Sequence, residues 1–136
     1  MKKLINLTIA ATAALALTTS LHAMDEKKDC DVKANGITKV IATANVYNEQ
    51  AKKKGLEFRR LNVNNSDLII AVEEAIKTGA KEVNPMHFKG KKRSKTKLET
   101  TYAAERACKF AIAALTQAKE AKTTWRLAVP GDGYKY

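Results

Sequence analysis

Residues 96–128 read TKLETTYAAERACKFAIAALTQAKEAKTTWRLA, and this stretch decides the fold. Thr96 and Glu99 have the T-x-x-E spacing of a capping box, in which each side chain satisfies an orphan backbone donor at a helix start. Leu98, Tyr102, Phe110, Ala111, Ala114, Leu115, Ala118 and Trp125 then recur mostly at three- and four-residue steps, the mark of one buried helical face. The spacing predicts a long helix over 97–128 with Cys108 near its middle. Pro130-Gly131-Asp132-Gly133 stops it and leaves Tyr134, Lys135 and Tyr136 as a tail.

Upstream, Cys30, Ala34, Ile37, Ile41, Ala44, Tyr47, Ala51, Phe58 and Leu61 lie nearly in heptad register. Gly55 interrupts them directly after Lys52-Lys53-Lys54. Gly55 fits a C-terminal cap preceded by helpful cations. The apolar phase hardly changes there, however, so the spacing favours one helix over 26–62, at a cost of ~1 kcal/mol for the glycine. Asn62, Asn64 and Asn65 end that element. A second helix over 67–78, capped by Ser66 or Asp67, carries Leu68, Ile69, Ala71, Val72, Ala75 and Ile76 and stops near Gly79. Residues 81–95 form the main loop, because Asn84-Pro85 pushes the backbone away from helical angles. The expected fold is all-α, a small bundle of three main helices (26–62, 67–78 and 97–128) with a basic loop and a C-terminal tail. Its core is rich in alanine, and each alanine buries little apolar area.

The first 23 residues read as a segment to be removed. Lys2 and Lys3 precede a mainly apolar run over 4–17, and Ala23 offers a small residue for cleavage. A basic start, a short apolar run and a small-residue exit make a secretory signal peptide. The run is too short for a membrane helix, which needs about 20 apolar residues. The mature chain is then a single helical domain over 24–136, located in a periplasm or secreted. Losing Lys2 and Lys3 lowers the formal net charge from +11 to +9.

Two cysteines in an exported chain pair as a disulfide. Cys30 and Cys108 would therefore staple the first helix to the last. A cysteine in that bond is not a nucleophile, which removes a Cys108–His87 catalytic pair. His22 leaves with the signal, so His87 stands alone in the mature chain. Met86-His87 is a weak candidate for a metal or redox site. Glu73 to Lys77 and Glu105 to Lys109 have the spacing of exposed four-residue charge pairs. No G-x-S-x-G, P-loop or H-E-x-x-H motif occurs. The chain reads as non-enzymatic, with no cofactor, no metal and no small-molecule substrate.

Charge is the most informative surface feature. Lys89, Lys91, Lys92, Arg93, Lys95 and Lys97 place six cations in nine residues, and Lys52, Lys53, Lys54, Arg59 and Arg60 form a second cluster. Such clusters attract polyanions by counterion release with little sequence specificity. The expected partner is anionic: lipopolysaccharide, anionic lipid, an acidic protein or DNA. A solvated lysine face is the plain alternative. Trp125, Tyr134 and Tyr136 suggest a second class, docking of a protein partner. Asn64-Asn65-Ser66 matches a glycosylation sequon, a pattern common by chance.

Overall fold

A computed structural model describes residues 24–90 and 92–128, with side chains through Thr124. The expected signal peptide over 1–23, Lys91, the Trp125 side chain, Tyr134 and Tyr136 lie outside the described residues.

The chain is mostly helical and is closed by a Cys30–Cys108 disulfide. In order it runs through α1 (Glu26–Asp29), α2 (Val32–Asn35), α3 (Ile37–Lys53), β1 (Arg59–Arg60), β2 (Val63–Asn64), α4 (Asn65–Thr78), β3 (Glu82–Val83), β4 (Leu98–Glu99) and α5 (Thr100–Ala128). Two antiparallel ladders, β1 with β2 and β3 with β4, correct the all-α expectation.

The single helix expected over 26–62 is wrong at both ends. Asp25 and Asp31 each cap a separate turn, accepting from the N–H groups of Lys27 and Lys28 and of Lys33 and Ala34. Gly36, at φ +79°, then separates α2 from α3. At the other end Gly55 takes φ +69°. Its N–H donates to the Lys52 carbonyl at 2.9 Å, and the Leu56 N–H donates to the Ala51 carbonyl at 2.8 Å. This is a Schellman cap, which uses glycine's freedom at positive φ. Lys52, Lys53 and Lys54 sit where cations favour a helix end.

α4 starts earlier than expected. Asn64 is its cap, and the Asp67 carboxylate accepts from the Asn64 N–H at 3.3 Å. Gly79 closes the helix in the left-handed region. α5 starts later than expected. Leu98 pairs with Val83 in a ladder, so Thr96 and Glu99 do not form the capping box. Thr100 instead ties the helix start to the end of α4, donating from its N–H to the Lys81 carbonyl and from its hydroxyl to the Ala80 carbonyl.

α3, α4 and α5 pack on one another, and the contact between α3 and α5 is the most extensive. The buried line of α5 is Ala103, Ala104, Ala107, Cys108, Ala111, Ile112 and Leu115. Of the larger residues that suggested the face, Leu115 lies on this line, whereas Phe110 is half-buried and Tyr102 is 52% exposed. Alanines at the contact let α3 and α5 approach closely, so the core's bulk comes from Val40, Ile69, Val72 and Ile112. Both disulfide cysteines are fully buried within this cluster.

Candidate functional site

Two loops meet on one side of α5. The first is a tight hairpin in which Arg59 pairs with Asn64 and Arg60 with Val63. Its two turn residues, Leu61 and Asn62, have φ of +50° and +64°. Positive φ at both positions defines the turn whose twist matches a two-residue hairpin. The second loop is the basic stretch, which is an irregular hairpin rather than an open loop. Beyond the β3–β4 ladder, the Ser94 N–H donates to the Pro85 carbonyl and the His87 N–H to the Lys92 carbonyl. Met86 pairs with Arg93, and Gly90 turns the chain at φ +75°.

Phe88 joins the two. Its N–H donates to the Asn62 carbonyl at 2.8 Å. The Arg59 guanidinium lies 4.0 Å from its ring centroid, and the Lys89 ammonium lies 5.8 Å from it. Two basic clusters separate in sequence are thereby partly merged. Lys89, Lys92, Arg93, Lys95 and Lys97 are exposed. Two of them have local partners, since Arg93 donates to the Asn84 carbonyl at 3.0 Å and the Lys97 ammonium is 3.6 Å from Glu82. The 52–60 cluster divides: its lysines sit at the end of α3, and Arg59 and Arg60 join the site.

Between the hairpin tip and the ribbon lies a cleft of about 60 Å³. Leu61, Val63, Leu68, Leu98 and Phe110 line it together with Arg60 and Arg106. Arg60, Arg106 and Phe110 also border a broader outer groove with Tyr102 and Lys109. The Arg106 guanidinium is 5.0 Å from the Phe110 ring and 5.9 Å from the Tyr102 ring. Phe110 in turn stacks on Phe58 at 4.0 Å. None of these residues except Arg60 stood out as a site candidate in the sequence. Phe58 and Phe110 read as ordinary core, and the spacing that brings Arg106 to Phe110 is the unremarked four-residue step on α5.

A polar network supports the cleft from behind. Asn48 and Asn65 are each 2% exposed. The Asn65 amide donates to the Asn48 side-chain oxygen at 3.1 Å and to the Ala107 carbonyl at 2.9 Å. Glu57 accepts from the Ser66 N–H, the Ser66 hydroxyl and the Asn48 amide. Burial pushes the Glu57 carboxyl up, but the Ser66 and Asn48 donors, with Lys52 nearby, outweigh it and hold the group below its ordinary value.

The remaining candidates are dispersed. Met86 and His87 are half-buried in the ribbon, and the cysteines are joined to each other. Among the described residues no three of His, Cys, Asp and Glu gather as metal ligands. Glu105 faces Lys109 at 3.9 Å as its spacing suggests, but Glu73 accepts from Asn45 on α3. The sequon asparagine Asn64 is a half-buried helix cap whose oxygen accepts from Arg59 at 2.8 Å. Among the described residues no helix is long and apolar enough to cross a membrane. No protein-family model, curated protein or solved structure matches this chain.

Proposed function

We propose that the chain is an exported, non-enzymatic binding protein, a disulfide-stapled bundle of three main helices whose basic face engages an anionic partner. The observation that carries this reading is Phe88 with Arg59 over its ring and Lys89 beside it. It places cations from both clusters on one surface. A buried disulfide accords with an oxidising compartment beyond the cytoplasm. The partner class is a polyanion, with lipopolysaccharide, anionic lipid, an acidic protein and DNA as the members to compare. The contacts are charge contacts, so affinity should fall linearly in logarithm with salt.

The test is binding of residues 24–136 to lipopolysaccharide, heparin, anionic vesicles and DNA across a salt series. A variant with Lys89, Lys92, Arg93 and Lys95 changed to Gln runs beside it. The expected result is loop-dependent binding with a slope that becomes shallower in the variant. Binding that ignores both salt and the substitutions would overturn the reading.

A further inference from the structure

We infer that the cleft between the Leu61 tip and the ribbon binds a short aliphatic carboxylate, with Arg60 and Arg106 holding the carboxylate and Leu61, Leu68 and Leu98 enclosing the aliphatic group. No lysine of the ribbon lines this cleft. The inference therefore stands apart from polyanion binding on the outer face.

Three observations lead there. The first is Leu61, which is 73% exposed and held at φ +50°. Left-handed backbone is unfavourable for a branched apolar residue, and Asn or Gly occupies such turns more easily. Leu61 gains little from burial in return. The hairpin turn sets this angle, but an exposed leucine in it at the mouth of a cleft points to a contact with something else.

The second is the state of the arginines. The ring faces of Tyr102 and Phe110 flank the Arg106 guanidinium, leaving its N–H edge as its means of recognition. Among the described residues, neither Arg60 nor Arg106 has an ion pair or a side-chain hydrogen bond. The neighbouring Glu105 is occupied, accepting from the Val32 N–H at 3.2 Å and facing Lys109 at 3.9 Å. A guanidinium edge matches a carboxylate with two parallel hydrogen bonds. Apolar walls around that pair raise its strength above what open water permits.

The third is size. The cleft holds about 60 Å³, against the roughly 150 Å³ of an apolar cavity that takes benzene. A branched group of three or four carbons matches that volume better than an aromatic ring.

The experiment is a methyl and arginine NMR titration of residues 24–136 with isobutyrate, isobutyramide and benzoate. Isobutyrate should shift the Leu61, Leu68 and Leu98 methyls and the Arg106 Nε–H saturably, with a Kd near 1 mM, within reach of a ligand of about six non-hydrogen atoms. Isobutyramide and benzoate should bind about tenfold more weakly or worse. Arg106→Gln and, separately, Arg60→Gln should each weaken isobutyrate about tenfold with the amide spectrum otherwise retained. Lys92→Gln should leave it unchanged. Equal binding of isobutyramide, shifts that never saturate, or an undiminished Kd in both arginine variants would overturn the assignment.

Discussion

The Arg59 guanidinium lies over the Phe88 ring at 4.0 Å from its centroid, although the two residues belong to separate hairpins. The Phe88 N–H to Asn62 carbonyl bond fixes the same junction from the backbone. One aromatic side chain thus sets the spacing between two groups of cations.

Phe88→Ala should therefore act on stability and on binding together. Loss of the cation–π contact and of some ring burial should cost about 1 kcal/mol in urea denaturation. Heparin elution should move to lower salt although no charge has been removed. Phe88→Trp keeps a ring face and should restore both. An elution position insensitive to Phe88→Ala would mean that the clusters act independently.

Gly55 and Leu61 make a matched pair. Both occupy positive φ, at +69° and +50°, but only one is a glycine. Gly55→Ala should destabilise the fold by about 1 kcal/mol, because the Schellman cap needs that angle. Leu61→Asn should stabilise it by about 1 kcal/mol by relieving the strain at an exposed site. Urea midpoints with unchanged m-values would establish each sign. The stabilised Leu61 variant should also bind isobutyrate more weakly, which a purely structural leucine would not predict.

Cys30 and Cys108 are 78 residues apart in sequence. A bridge closing a loop of that length contributes about 4 kcal/mol through the entropy of the unfolded chain. That is a large share of the total stability of a small domain. Changing both cysteines to Ser should lower the thermal midpoint by tens of degrees, as followed by circular dichroism, given that about 1 kcal/mol shifts a domain of this size by roughly 4–8 °C. A variant that melts with the parent would show the bridge to be redundant.

Glu57 gives the acid limb of the stability curve its sign. Burial raises its carboxyl, and the Ser66 and Asn48 donors more than reverse that, leaving the folded value below the ordinary 4.5. Such a group adds stability fully above its unfolded value. The addition is lost as pH falls through the folded value. Glu57→Gln should therefore be less stable than the parent at pH 7, and the gap should close as the pH drops below about 4. A gap that stays constant with pH would assign the effect to hydrogen-bond geometry alone.

Much of the helical content was legible, because its signals are local. Leu68 through Ile76 repeat with the helical period, and Gly79 ends them where a left-handed cap belongs. The cysteine pair followed from an even count in a chain expected to be exported. The 26–62 helix failed because apolar phase says nothing about backbone angles. Tyr47, Ala51, Phe58 and Leu61 stay nearly in register while Gly55 turns the chain away. Residue size misled on α5, where Tyr102 is exposed and the adjacent Ala103 is buried. Strands of two residues carry no period to read. Asn48 lies between Ala44 and Ala51 on the α3 stripe, so its burial was signalled by position and hidden by polarity. At the site, the charge runs were plain in the sequence. Their junction at Phe88 was not, because it depends on a left-handed turn at Leu61 and Asn62.

The Cys30–Cys108 bond has a consequence for survival of proteolysis. Both basic hairpins lie inside the covalent ring that it closes. The exposed lysines of the ribbon are natural targets for trypsin-like proteases, which cut loop tips most readily. A cut beside Lys92 or Lys95 opens the ring without dividing the molecule. Both fragments stay tethered at a fully buried crosslink, with α3 still packed against α5. A cut in the exposed stretch after Leu115, by contrast, lies outside the ring and sheds the end of α5 as a free peptide.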